Sequence, residues 1–400
     1  MITINKSYKF KITPSNEQKQ LIEKHFGACR YVFNRYLNSR KETYLEYKKT
    51  LNYYDNANDL TILKKNEQFV WLKEINSQSL QSSLRNLDIA YNKFFRKQTN
   101  FPKFKSKFDK QSFTIPQSVF IEDGELQIPK FKKGIKINIH REIKGKILFA
   151  TISKTASGKY YASITCEVDY MPFVKTKSRV GIDTGIKDLA ILSDGKVYEN
   201  IKSLKAKLKK LKYNQKQLSK KQKGSNSRLR QKTKVSIIHE EVANVRKDYL
   251  HKVSTEIIKN HDVICIEDLA VKNMMKNYKL AQAFSDVSLG AFYAMLKYKA
   301  TWNDKVIVKI DRFFPSSKTC NVCNFINQEL TLKNREWTCN GCGTNHDRDL
   351  NASINIKNQG LKILSGSGIE SDIKQKRSKA LPLGKSMTSE ANPVSITDRR

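Results

Sequence analysis

The sequence predicts a multidomain α+β protein. Three observations carry that expectation in this 400-residue chain. Apolar residues recur at helical spacing through roughly 15–97, short β-rich runs fill Ser112 to Tyr170, and from Val180 onward apolar strands alternate with helices up to a cysteine quartet. A chain of this length can hold two or three domains and a sizeable core.

Residues 2–13 alternate as a strand that Pro14 ends, and "SNEQ" at 15–18 has the form of a capping box, with Ser15 as N-cap and Gln18 reaching back. Leu21, Ile22, Cys29, Val32, Phe33 and Tyr36 then follow at helical steps. A second helix carries Leu80, Leu84, Leu87, Tyr91 and Phe94. "SFTIP", "LQIP", "IKINIH", "ILFATISK" and "YYASITCEV" form an antiparallel β domain, a barrel being one closure, to which the N-terminal strand could add. "VGIDTGIKDLAILSDGKVY" (180–198) reads as two strands about a turn. Leucines at 204, 208, 211 and 218, a break at 223–227, and a stripe of Ile238, Val242, Val245 and Tyr249 predict a helical hairpin. "DVICIED" (262–268) and "KVIVKID" (305–311) are strands around a helix at about 286–303. A short last helix, "LNASINIKN", is expected to stop at Gly360, and 363–400 read as a mobile basic tail.

Charge narrows the function. Lys and Arg number 75 against 38 Asp and Glu, a net charge of +37, and such self-repulsion calls for a polyanion partner, nucleic acid above all. Between Ile201 and His239 there are 14 Lys or Arg and no acid, which favours a hairpin that contacts the polyanion. "KFFRKQTNFPKFKSKFDK" (93–110) interleaves Phe with Lys and Arg. Either its Phe94, Phe101 and Phe104 stack on bases, or they pack inward beneath solvated lysines. No run of about 18 apolar residues predicts a membrane span, and the N-terminus lacks a secretory core, so a cytoplasmic location is expected.

Cys29, Cys166 and Cys265 stand alone in apolar surroundings and read as core residues. Cys320, Cys323, Cys339 and Cys342 form a C-x2-C-x15-C-x2-C quartet. Two such knuckles make a tetrahedral four-thiolate zinc site with no open position, structural rather than water-activating.

The acids suggest the chemistry. Asp183 ends the apolar run "RVGID", Glu267 ends "VICIE", and Asp349 opens the last helix. Carboxylates so placed supply hard oxygen ligands for Mg2+, and two ions about 4 Å apart can clamp a phosphodiester. Each acid alone has a plainer role: Asp183 in a turn with Gly185, Glu267 paired to a Lys, Asp349 as an N-cap. The "DTG" at 183–185 has no second copy, which sets an aspartic protease aside. "GKS" at 384–386 lacks the preceding glycine of a phosphate-binding loop. The six histidines never come closer than ten residues, which argues against a tyrosine–histidine single-strand transposase.

"GIDTGIKDLA", "ICIEDL" and "CGTNHDRDLNAS", in this order around a four-cysteine ribbon, resemble the TnpB family, as do "YKFKITPSNEQKQLIEKHFGACRYVFN" and "FPKFKSKFDKQSFTIP". These are insertion-sequence nucleases long described as OrfB transposases, relatives of the type V CRISPR effectors. The resemblance covers about residues 1–360. It implies a RuvC-type, RNase H-like nuclease domain over 178–362, with the basic hairpin at 201–255 and the zinc ribbon at 316–345. It further implies an OB-like wedge β-barrel from 1–14 and 107–172, and a helical recognition domain over 15–106. It implies Mg2+ ligation by Asp183, Glu267 and Asp349, the last preferred to Asp347 because the family's acid stands two residues before the asparagine. It implies a guide RNA from the transposon end, one chain per RNA, and cleavage of double-stranded DNA beside a short transposon-adjacent motif. Asn324 stands where a glycine is common after the first knuckle. A non-enzymatic regulator of transposition and a strand-joining transposase remain open alternatives, since the order of acids does not separate hydrolysis from strand transfer.

Overall fold

The computed structural model describes residues 1–331 and 333–366, with only the backbone of Lys272. It has a mixed α/β fold with several sheets and divides into two compact units, Thr3–Asp169 and the chain from Tyr170 together with Met1–Ile2.

The first unit opens with strand β1 (Ile2–Thr13) and helix α1 (Asn16–Tyr47). The capping box forms: the Ser15 hydroxyl accepts from the Gln18 amide, and the Gln18 side chain accepts from the Ser15 amide at 2.9 Å. The expected helical stretch is cut into α2 (Tyr53–Leu63), a 3-10 segment Glu67–Glu74, and α3 (Ser77–Phe95). Each new start has an asparagine cap, Asn52, Asn66 or Asn76, whose carboxamide oxygen satisfies free first-turn amides.

Strands β2 (Gln111–Ile115), β3 (Phe120–Glu122), β4 (Glu125–Gln127), β5 (Ile135–Asn138), β6 (Lys146–Lys154) and β7 (Tyr160–Tyr170) join β1 in a seven-stranded sheet. Its order is β2-β6-β7-β1-β5-β4-β3, so the N-terminal strand does pair with the β region. The helices pack on this sheet through Phe26 and His25, whose rings lie 5.6 and 4.7 Å from that of Phe113. Cys29 and Cys166 are buried.

The second unit is built on β8 (Arg179–Asp183), β9 (Asp188–Leu192), β10 (Val197–Glu199), β11 (Val263–Glu267) and β12 (Val306–Ile310), in the order β10-β9-β8-β11-β12. The 180–198 segment thus holds three strands rather than two, because Gly195, at φ 87°, turns the chain back into β10. β8, β11 and β12 run parallel, with Ile182 beside Ile266. One sheet face packs Val180, Ile182, Ile264 and Ile266 against Phe292 and Leu296.

Helices α4 (Ser203–Ser219) and α5 (Asn226–Asn260) form the expected hairpin, packed through Leu211, Val235 and Ile238. The predicted stripe fails at Val245, which is 55% exposed. Beyond Val242 the helix leaves α4 and turns Leu250, Val253 and Ile257 into the sheet core instead. The helix expected at 286–303 follows the short α6 (Val271–Met274) and is split into α7 (Ala281–Val287) and α8 (Leu289–Trp302). Ser288 between them is left-handed at φ 56°, and the Asp286 carboxylate accepts from the amides of Leu204 and Lys205 at the start of α4.

A two-stranded ribbon of β13 (Glu336–Thr338) and β14 (Asn345–Asp347) leads into α9 (Arg348–Gly366). This helix runs through Gly360 rather than stopping there. A Cβ at Gly360 would lie 2.4 Å from the Cys265 sulfur, and one at Gly181 would lie 2.1 Å from the Ser353 carbonyl oxygen. Both glycines let α9 press onto β8 and β11, so Gly360 serves close approach, not termination. Residues 363–366 of the expected tail are therefore helical, and 367–400 lie outside the described residues. Among the described residues no helix is long and apolar enough to cross a membrane.

Candidate active site

Parallel pairing decides where the first two acids go. β8 and β11 are neighbours in register, so the residues after Ile182 and Ile266, Asp183 and Glu267, emerge at the same C-terminal edge of the sheet. That edge is where open α/β sheets carry their ligands. Asp349 arrives from the first turn of α9, which packs against β8.

Asp183 senses the other two carboxylates. The Asp183 carboxyl is pushed up to about 8, first by burial and then by the negative charges of Glu267 and Asp349. An amide hydrogen bond from Thr184 opposes the shift. Burial also raises Glu267, against a hydrogen bond that the Ser316 hydroxyl donates at 2.7 Å. Asp349 faces Arg335, whose guanidinium donates to it at 3.1 Å. Asp347 does something else: its carboxylate accepts from the amides of Asp349 and Leu350 at 3.0 and 2.8 Å. It is the cap of α9, the role that Asp349 alone might otherwise have filled, and its side chain is committed there.

Carboxylates gathered at a sheet edge are hard-oxygen donors of the kind a divalent cation takes. Among the described residues, the cysteines alone form a group of three or more potential ligands with all donor atoms within 4.8 Å.

The four cysteine sulfurs do lie within 4.8 Å of one another, with Cys320 and Cys339 buried and Cys323 and Cys342 exposed. The Cys323–Cys339 and Cys320–Cys342 sulfurs are 3.5 and 3.7 Å apart. That is too long for a disulfide and close to the roughly 3.8 Å edge of a tetrahedron with 2.3 Å zinc–sulfur bonds. Asn324 takes φ 63°, a left-handed conformation asparagine tolerates, which accounts for its presence at a position where glycine is common. The ring of Trp337 lies 4.8 Å from that of His346, whose Nε2 is 3.1 Å from the Cys320 sulfur.

Side chains the sequence did not single out tie this cluster to the acids. The Asn355 carboxamide donates to the carbonyls of Ser316 and Thr319 at 2.8 and 2.6 Å. Asn351 donates to Thr319 and accepts from the Asn321 amide. Thus α9 grips the entry to the first knuckle, and Ser316 in that same entry holds Glu267. Arg335, just before β13, holds Asp349. Tyr293 of α8 also approaches: its hydroxyl lies 2.6 Å from that of Thr184, and its phenol is held well above the usual range by burial and by the charges of Glu267, Asp183 and Asp268. A lone serine, arginine or tyrosine carries no spacing signal; only the fold brings these residues to the acids.

Two other expected features have a definite geometry. Phe101 and Phe104 are 40% and 51% exposed, so inward packing does not describe them. Phe101 sets its edge on Tyr91 and Phe94, and the Lys41 ammonium lies 5.5 Å over the Phe104 ring.

Residues 163–278 match the OrfB_IS605 family, described as "Probable transposase", 290–356 match "Cas12f1-like, TNB domain", and 1–49 match "Helix-turn-helix domain". A Streptomyces pristinaespiralis protein named "Putative RNA-guided DNA endonuclease" is 35% identical over 374 residues, 92% of this chain and 93% of that protein. The chain belongs to the TnpB family. A second relative, from Escherichia coli K12 and named "Putative RNA-guided DNA endonuclease InsQ", is 34% identical over 90% of this chain and 93% of its own. A chain of the "Cas12f1-sgRNA-target DNA complex" superposes with a TM-score of 0.53 at 14% identity, covering 89% of this chain and 99% of that one. The TnpB fold is therefore Cas12f-like in its overall course.

Proposed function

We propose that this TnpB chain is an RNA-guided DNA endonuclease that hydrolyses target strands beside a short transposon-adjacent motif. The observation that carries the reading is the meeting of three acids from separate parts of the chain, with the Asp183 carboxyl pushed up first by burial and then by Glu267 and Asp349. The names of the two relatives support the substrate and the guide. The net charge of +37 supports nucleic-acid partners with steep salt dependence. In this reading the unit from Tyr170 is a RuvC-type nuclease domain with an inserted zinc ribbon. The sheet of the first unit is an OB-like wedge, and its helices form a recognition domain. The guide reads sequence by base pairing, while the protein reads duplex shape and the flanking motif.

Asp183, Glu267 and Asp349 would hold the Mg2+, two ions in this reading. When bound, Mg2+ supplies activation of water and charge stabilisation of the departing oxygen. The chain's own part is to hold the carboxylates. Ser316 orients Glu267 by its hydrogen bond, Arg335 restrains Asp349, and Asp347 fixes the first turn of α9. The four cysteines would hold Zn2+ and, so held, would keep the 316–321 segment in place against Asn351 and Asn355. The basic α4–α5 hairpin contacts the guide or its heteroduplex.

Sequencing the RNA that copurifies with the chain, then offering a duplex matched to it with randomised flanks, tests the reading. Mg2+-dependent cuts beside one flanking motif are expected, and none from Asp183→Ala. Cleavage that ignores the RNA, survives Asp183→Ala, or yields joined strands would overturn it.

A further inference from the structure

We propose that Tyr293 is a positioning residue of the cation site, acting on Asp183 through the hydroxyl of Thr184. The inference rests on the reading of Asp183, Glu267 and Asp349 as cation ligands.

Asp183 is the last residue of β8, and the chain leaves the sheet immediately after it through Thr184 and Gly185. A carboxylate at a strand end is only as well aimed as the turn that follows. Three side-chain or backbone bonds fix this turn. Gly185 donates its amide to the Asp188 carbonyl at 3.2 Å, the Asn200 carboxamide donates to the Ile186 carbonyl at 2.8 Å, and the hydroxyls of Thr184 and Tyr293 meet at 2.6 Å. The first two close the turn on β9 and β10. The third alone ties the residue next to Asp183 to another layer, because Tyr293 belongs to α8 and packs against the sheet core.

Thr184 has two roles in this arrangement. Its amide donates to the Asp183 carboxylate, and its hydroxyl is held by the phenol. A displacement of the Thr184 backbone would carry the amide donor away from Asp183. The hydroxyl bond to Tyr293 opposes that displacement. A tyrosine that merely filled space here would be replaced by phenylalanine without consequence. The hydrogen bond makes the opposite prediction.

The test is Mn2+ titration of the full chain, with free ion read from its paramagnetic resonance signal, in wild type, Asp183→Asn, Tyr293→Phe, Thr184→Val and the Tyr293→Phe/Thr184→Val double variant. The component lost in Asp183→Asn reports the site. Tyr293→Phe, which keeps the ring, should weaken that component by about 3- to 10-fold, the span of one lost hydrogen bond. Thr184→Val should weaken it similarly, and the double variant should be no weaker than the worse single, because both remove the same bond. Guide-RNA affinity should be unchanged in all of them. Wild-type Mn2+ affinity in Tyr293→Phe, or losses that multiply in the double variant, would overturn the proposal while leaving the acid site intact. Absence of any Asp183-dependent component in wild type would overturn the site assignment and this inference together.

Discussion

Replacing Asp183 with asparagine should make the cation-free protein more stable while destroying cleavage. The structure gives the magnitude. In the folded chain the Asp183 carboxyl is pushed up to about 8, whereas an unfolded aspartate titrates near 3.9. The folded state thus holds a proton that the unfolded state has released, so stability falls as pH rises between about 4 and 8. Taking up that proton costs roughly 1.5 kcal/mol at pH 5 and on the order of 4 kcal/mol at pH 7. Water at this partly buried site screens some of the charge, so the observed values lie below these figures. Asparagine has no such cost. At about 2–4 °C per kcal/mol for a unit of this size, the variant's melting temperature should exceed wild type by several degrees at pH 7 and by less at pH 5. Thermal unfolding in buffer freed of divalent ions by dialysis is the assay, since a strong chelator would also strip the cysteine site. Adding Mg2+ should stabilise wild type and not the variant. Equal melting temperatures at pH 7, or a gap independent of pH, would refute the buried, charge-crowded setting of Asp183 on which this prediction rests.

Other outcomes follow from single contacts. Gly360→Ala sets a Cβ 2.4 Å from the Cys265 sulfur and should cost roughly 1–3 kcal/mol; combined with Cys265→Gly in a denaturation cycle, it should cost less than the sum of the two single changes. Asp347→Ala removes a cap and should cost about 1 kcal/mol while cleavage persists. Asp349→Ala should abolish cleavage in the same gel assay. Cys339→Ser should lower bound zinc, read by elemental analysis. It should also impair cleavage by loosening the 316–321 segment that presents Ser316 to Glu267. Cleavage unchanged after zinc loss would break that link.

The sequence was readable wherever a local rule acts alone. The Ser15–Gln18 capping box, the alternation of residues 2–13 and the apolar runs ending at Asp183 and Glu267 all appear as expected elements. It misled where tertiary contact overrides a local rule. Gly360 looks like a helix stop, but it is the point where α9 touches Cys265. Val245 fits the stripe of α5, yet the helix changes packing partner just before it and leaves it exposed. Asp183 and Glu267 could be placed because the apolar runs that end in them are legible, and Asp349 because it opens a helix. Ser316, Arg335, Asn351, Asn355 and Tyr293 were not, because each works through a partner more than ten residues away in sequence. The choice between Asp347 and Asp349 likewise needed a motif to suggest it, and hydrogen bonds to give the two acids different tasks.

The most direct test of the central claim is cleavage of one duplex under two guides. The purified chain would be loaded with its copurifying RNA, or with the same RNA carrying a changed guide segment, and given Mg2+ and both matched targets. The account predicts that each complex cuts only its own target, that Asp183→Ala, Glu267→Ala and Asp349→Ala each cut neither, and that Asp347→Ala still cuts. Cleavage that does not follow the guide, or that survives loss of any of the three acids, would contradict it.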